Sequence, residues 1–262
     1  MAQAPRPLLF DTHTHLNSPS FDGDLPATLA RARDAGVGSA VVVGYDLESS
    51  RRAVALAEAH DRLFAAVGIH PHSADQTSPE TLRELKDLAG RVRVVAIGET
   101  GLDFHRNLAP RQAQLRSFAW HLELAEEVGL PVIVHIRNAF EEATDALSGY
   151  RGTGVVHCYT GTPEQLPPLL EKGLYVSFSA VITYRTGSLV RRALAEAPAD
   201  RVLVETDCPY LPPDSRRGRR NEPAFLIETA QMAAEMRGLP FEELARLTTA
   251  NASNLFGIER GR

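Results

Sequence analysis

The chain has 262 residues, 44% of them hydrophobic and 23% charged, with a formal net charge of −5. That composition excludes a disordered chain, and no run approaches the roughly 20 apolar residues of a membrane span. The mildly acidic balance argues against a protein that coats nucleic acid by bulk charge, while leaving room for a small basic site that handles one phosphate at a time.

Taken in chain order, short β-branched runs alternate with longer amphipathic stretches. The expected strands are Leu8–His15, Ser39–Tyr45, Leu63–His70, Val94–Asp103, Pro131–Arg137, Gly154–Tyr159, Leu174–Ala180 and Val202–Asp207. Most are nearly continuous apolar runs, which suit parallel strands buried on both faces. A helical stretch follows each. Ser78 and Pro79 open one with an N-cap and a proline in the first turn. Leu115, Phe118, Leu122 and Ala125 recur at helical spacing within Pro110–Val128, and Gly129 stops it. Two helices, near Pro223–Arg237 and Phe241–Leu255, close the chain. Eight β-then-α units in this length predict an α/β fold, a single (β/α)8 TIM barrel over residues 1–262. The alternative, an open doubly wound sheet, is weakened by the missing Gly-rich loop after the first strand. Cys158 and Cys208 cannot build a disulfide scaffold. Free thiols, with no apolar signal segment before the first strand, fit the cytoplasm.

Chemistry-bearing residues gather at the C-terminal strand ends, the face where barrel active sites form. His13 and His15 end the first strand, Glu99 lies in the fourth, His135 and His157 in the fifth and sixth, and Asp207 ends the eighth. Residues two apart on a strand point the same way, so His13 and His15 can reach inward together. Each group alone has a plainer reading: a buried His is usually a hydrogen-bonded core residue, and Asp207 alone can cap a helix. Six of them on one face reverse that reading, because burying them unpaired is costly. Four imidazoles and two carboxylates suit divalent ions, and the count exceeds what one catalytic zinc uses. Two ions bridged by a carboxylate fit it better.

The motifs D-T-H-T-H, V-G-I-H-P-H, I-G-E-T-G-L-D-F, P-V-I-V-H-I-R, H-C-Y-T-G, E-T-D-C-P-Y-L-P-P and R-N-E-P, in this order, resemble those of the TatD family of metal-dependent hydrolases in the amidohydrolase superfamily. The resemblance runs from Asp11 to about Ile258, with no departure at a ligand position. It implies two divalent metals (Zn, Mn, Mg or Fe). One would take His13, His15, Glu99 and Asp207, the other Glu99, His135 and His157, with Glu99 as the bridge. It also implies a deoxyribonuclease, notably a 3′→5′ exonuclease acting on single-stranded DNA or DNA ends. Some members are linked instead to deacylation of mischarged tRNA, so an ester or amide hydrolase such as a D-aminoacyl-tRNA deacylase is the alternative. A metal-binding barrel without catalysis is a third reading, disfavoured by the complete ligand set. Asp207 is the expected general base, and the plainer alternative makes it a ligand only. A metal lowers the pKa of water toward neutrality.

Supporting residues follow. His70 can contact a phosphate or protonate a leaving group, or simply bond a loop. His72 belongs to the outer shell or the surface. Asp103 can orient a ligand histidine or cap a loop, and Arg137 can hold a phosphate or pair with Glu141. Arg216, Arg217, Arg219 and Arg220 should overhang the mouth and steer phosphate, unless they form a solvated face. Tyr159, Tyr184 and, best placed, Tyr210 can stack on a base. Cys158 and Cys208 read as packing residues, and Trp120 and His121 as packing and surface residues. No membrane and no obligate protein partner is expected.

Overall fold

The computed structural model describes residues 8–258. Eight strands form one sheet in sequential order: β1 Leu9–Thr14, β2 Val37–Val43, β3 Leu63–Val67, β4 Val94–Asp103, β5 Val132–Arg137, β6 Gly154–Val156, β7 Tyr175–Phe178 and β8 Val202–Val204. Every neighbouring pair from β1 to β8 is parallel. Between and after them run α1 Leu25–Asp34, α2 Leu47–Ala59, α3 Pro79–Ala89, α4 Arg111–Val128, α5 Phe140–Ser148, α6 Leu166–Glu171, α7 Ser188–Glu196, α8 Leu226–Arg237 and α9 Phe241–Leu255. The (β/α)8 barrel read from the sequence is therefore the fold.

Local signals act as expected at several ends. Ser78 and Thr81 form a capping box at the start of α3, and Gly129 ends α4 in the left-handed region at φ 68°. Apolar residues fill two layers. Leu9, Val42, Val67, Ile97 and Val134 face the helices. Phe10, Val41, Val95, Ile133 and Leu203 fill the barrel interior, where Leu255 and Phe256 from the end of α9 join them. The helices include none long and apolar enough to cross a membrane among the described residues.

Closure between β8 and β1 is polar. Thr14 and Cys208 form a parallel bridge, and His15 N donates to the Cys208 carbonyl at 2.7 Å. The buried Asp11 carboxylate accepts from Thr206 N at 2.9 Å and Thr206 Oγ1 at 2.7 Å. Burial pushes the Asp11 carboxyl up to about 8 against these bonds.

Six strands, β1, β3, β5, β6, β7 and β8, are shorter than expected. β3, β6 and β8 stop before His70, His157 and Asp207, which lie just past the strand ends. Cys158 at φ 42° and Asp207 at φ 59° turn the chain left-handed there, and a β-strand cannot continue through such a residue. The turn at Asp207 is held by its N–H on the His13 carbonyl at 3.0 Å. Asn221 Nδ2 reaches the carbonyls of Thr206 at 2.9 Å and Tyr210 at 2.7 Å.

Candidate metal centre

The six expected ligands converge at the C-terminal mouth of the barrel. Strict strand alternation would not deliver all of them. β1 begins with Leu9 toward the helices and Phe10 inside, and its ladder to β2 shifts register between Asp11 and Thr14. His13 and His15 both turn to the mouth, with their Nε2 atoms 3.3 Å apart. A second register shift, between Ile97 and Thr100, interrupts β4 at Glu99. It requires glycine on either side. Gly98 sits at φ 142°, and a Cβ there would lie 2.6 Å from the Ile133 carbonyl oxygen. Gly101, at φ 131°, would place a Cβ 2.1 Å from the His135 carbonyl oxygen. The two glycines of G-E-T-G thus allow β5, and with it His135, to lie close against the strand that carries Glu99.

Glu99 divides the site. Its Oε2 lies 3.4 Å from His13 Nε2 and 3.6 Å from His15 Nε2. Its Oε1 lies 3.0 Å from His135 Nδ1, 2.8 Å from His157 Nε2 and 3.3 Å from His70 Nε2. Asp207 joins the first group, with Oδ1 3.4 Å from His15 Nε2 and 3.8 Å from His13 Nε2. One ligand atom from each of His13, His15 and Glu99 falls within a 4.8 Å span, as does one from each of His70, Glu99 and His135.

The donor chemistry fits cations. His15 Nδ1 lies 3.0 Å from the Val43 carbonyl, which can only accept, so the ring proton sits on Nδ1. The Nε2 lone pair of a neutral His15 then faces another imidazole and two carboxylates. His157 repeats the pattern, with Nδ1 3.3 Å from Glu205 Oε1 and Nε2 turned to Glu99 and His135. Acceptors converging on acceptors in a buried space repel unless positive charge lies among them. Without a metal, protons carry that charge. Burial pulls His157 down, but Glu99 and Glu205 outweigh it and hold the imidazole well above its ordinary value. Burial likewise pushes Glu99 up, and His157, His70, His13 and His135 hold it well below. His70 goes the other way: burial lowers it to about 4 despite Glu99.

Asp103 lies one layer out. Its Oδ2 is 2.7 Å from His72 Nε2 and 3.5 Å from His135 Nε2. Its Oδ1 accepts the backbone N–H groups of His105 at 3.0 Å and Arg106 at 2.8 Å. It therefore caps a loop and lies near His135 without hydrogen-bonding it. His72, expected in the outer shell or at the surface, is half-buried against it.

The cavity above these groups has a volume of about 560 Å³ and includes His70, Asp103, Arg137 and Tyr210 in its lining. Arg137 has no ion pair with Glu141 among the described residues. The arginine run departs from expectation. Arg216 pairs with Glu228 at 2.9 Å, Arg217 with Asp214 at 2.7 Å and Arg220 with Asp24 at 2.7 Å. Arg216, Arg217 and Arg220 also cover the rings of Phe225, Tyr184 and Phe21. None of these three lines the cavity, and only Arg219 stays exposed without a side-chain partner among the described residues. The sequence showed the run of positive charge but not the acidic partners, which lie up to two hundred residues away.

Two tyrosines are also redirected. Tyr159 is buried and donates to the Thr162 carbonyl at 2.6 Å, and Tyr184 donates to the Pro212 carbonyl at 2.8 Å. His121, expected with Trp120 among packing and surface residues, is fully buried. Its Nε2 accepts from Ile69 N at 3.1 Å, and its Nδ1 lies 2.7 Å from the Ser117 carbonyl. Burial pushes the thiols of Cys158 and Cys208 well up, away from nucleophilic thiolates.

Sequence reasoning missed four residues. Glu205 supports His157, and Asn221 shapes the Asp207 turn. Tyr45 and Arg106 line the cavity. Glu205 and Asn221 stood inside quoted motifs, so their signal was present. Tyr45 gave only its place at the end of the second expected strand, and Arg106 gave none.

Residues 10–257 match the TatD related DNase family. The chain belongs to that family. The uncharacterized metal-dependent hydrolase YabD of Bacillus subtilis (strain 168) is 40% identical over 254 residues, covering 96% of this chain and 100% of the relative. The 3′-5′ ssDNA/RNA exonuclease TatD of Pantoea ananatis is 41% identical over 259 residues, covering 95% and 100%. The crystal structure of YJJV, a TatD homolog from Escherichia coli K12, superposes with a TM-score of 0.91 at 32% identity, covering 96% and 98%. The resemblance seen in the motifs is thus family membership across the barrel.

Proposed function

We propose that this chain is a divalent-metal-dependent phosphodiesterase that removes nucleotides from the 3′ ends of single-stranded DNA, in the cytoplasm. The observation that carries the reading is the division at Glu99, whose Oε2 faces His13 and His15 while its Oε1 faces His135, His157 and His70. One cation would be held by His13, His15, Asp207 and Glu99, and a second by Glu99, His135 and His157. Bound there, divalent ions supply Lewis acidity for the phosphoryl oxygens and lower the pKa of water.

The protein's own groups do the rest. Asp207 is the general base: its carboxylate reaches the cavity from the left-handed turn at φ 59°. Burial pushes the Asp207 carboxyl up, but His15, His13 and His157 hold it below its ordinary value. It is therefore ionised at neutral pH and able to take a proton. His70, kept neutral by burial, is placed to bond a phosphate oxygen. Asp103 fixes His72 and adds its negative charge 3.5 Å from His135 Nε2, and Glu205 fixes His157.

The test is digestion of 5′-labelled single-stranded DNA by the purified chain with manganese or magnesium, beside D-aminoacyl-tRNA. A ladder that shortens from the 3′ end and stops on chelation is expected. Deacylation of the tRNA with intact DNA would overturn the reading.

A further inference from the structure

The cavity is chemically lopsided. On the His15 side stand two tyrosines from different strand ends, Tyr45 just past β2 and Tyr210 just past the Asp207 turn. Their rings stand edge-on to His15, with centroids 5.5 Å and 5.9 Å away. Tyr45 is half-buried, while Tyr210 is 56% exposed. Neither phenol hydroxyl bonds another group among the described residues. An exposed aromatic ring at a cavity mouth, unlike Tyr159 and Tyr184, has its surface still to bury.

On the His135 side stand two arginines. Arg137 pairs in register with Asp103 at the ends of β5 and β4. Its carbonyl accepts from Phe104 N at 2.9 Å, and Asp103 Oδ1 holds the backbone N–H of Arg106 at 2.8 Å. The two guanidinium stems thus rise from one small, fixed patch of backbone and line the same cavity. Among the described residues neither has a carboxylate partner, whereas Arg216, Arg217 and Arg220 are all paired. Unpaired guanidinium groups fixed at a mouth suit phosphate, which they can grip with paired N–H bonds.

Resting on the phosphodiesterase reading above, we propose that the two ends of the cavity have separate tasks. Tyr45 and Tyr210 stack on the base of the nucleotide at the scissile phosphate, and Arg106 and Arg137 hold the next phosphate along the strand. Aromatic faces accept any base, because every base has a π-face. The site then requires a base without reading which one. It also favours a strand over an isolated diester, because the tyrosines stand beside His15 while the arginines rise from the strand ends beside His135. Glu99, between the two histidine pairs, marks where the cut falls.

The experiment uses the metal-loaded full chain and two single-stranded oligonucleotides, one ending in a normal nucleotide and one ending in an abasic residue. The parent should prefer the first in kcat/KM by about tenfold. Tyr45→Leu/Tyr210→Leu should bring that ratio near one, and Tyr45→Phe/Tyr210→Phe should keep it. Arg106→Gln/Arg137→Gln should keep the ratio but flatten the salt dependence of KM, by about 0.7 in log–log slope per lost phosphate contact. A ratio unmoved by the leucine pair, or a slope unmoved by the glutamine pair, overturns the proposal alone. A parent chain that cleaves neither oligonucleotide overturns the phosphodiesterase reading and this proposal with it.

Discussion

His15 keeps its ring proton on Nδ1 against the Val43 carbonyl at 3.0 Å. That single bond decides what the other nitrogen can do: Nε2 is left with its lone pair aimed at Glu99 and Asp207. Glu205, just past the end of β8, does the same for His157. The two imidazoles reach different oxygens of one carboxylate, and each is fixed by an acceptor behind its ring.

The first prediction concerns that shared carboxylate. Glu99→Ala removes a negative donor from both groups, so both proposed sites should weaken and turnover should collapse. Elemental analysis of the purified variant should show a loss of metal beyond one site's share. Full stoichiometry with near-parent turnover would refute the bridge.

A second prediction concerns the arginine run. Replacing Arg216, Arg217, Arg219 and Arg220 together with Gln removes four ion pairs and three cation–π contacts. The melting temperature should fall by a few degrees. The salt dependence of DNA binding should change less than in Arg106→Gln/Arg137→Gln, because the run lies outside the cavity. Anisotropy titrations of labelled single-stranded DNA over a range of salt compare the two variants. A larger loss of slope in the run variant would restore it as the steering surface.

The barrel was legible because its strands are continuous apolar runs at regular spacing, and β4 matched its expected bounds from Val94 to Asp103. The candidate ligand set was legible because its residue types recur at strand ends. Several departures share a cause: they depend on residues distant in sequence. Nothing near Arg220 marks Asp24 as its partner. Nothing near His121 shows that Ile69 will offer it an N–H. Strand ends failed at Cys158 and Asp207, where tertiary contacts hold non-glycine residues in the left-handed region. The aromatic and cationic ends of the cavity were half legible, since Tyr210 and Arg137 sat beside ligands while Tyr45 and Arg106 did not.

A third prediction uses His121. Burial holds its pKa at about 4, below the ordinary 6.5. Above pH 6.5 neither the folded nor the unfolded chain protonates it. As pH falls from 6.5 toward 4, the unfolded chain takes up a proton that the folded chain refuses, so stability is lost across that window. The loss comes to about 3 kcal/mol. His121→Phe should be less stable at pH 7.5, because Ile69 N–H loses its acceptor, yet lose less stability on acidification. Urea unfolding of both proteins at pH 7.5 and pH 4.5 measures the difference. An equal acid loss in the two would show that His121 does not carry this part of the pH dependence.

The last prediction separates the two roles of Asp207. Asn keeps the size and one oxygen but loses the charge and the basicity. It can also keep the left-handed turn, since Asn tolerates φ near 59° as Asp does. If Asp207 is both ligand and base, Asp207→Asn should retain part of its metal and still bind DNA. The hydrolytic step should fall by about 10²-fold or more, the usual scale of a positioned base. His135→Ala is the comparison. It removes a ligand from the other group, so occupancy and rate should fall together, and excess metal should restore some of the rate. Excess metal should not restore Asp207→Asn, because what it lacks is a proton acceptor. Single-turnover rates measured across a metal titration distinguish the cases. Recovery of Asp207→Asn to near the parent rate would leave Asp207 as a ligand only.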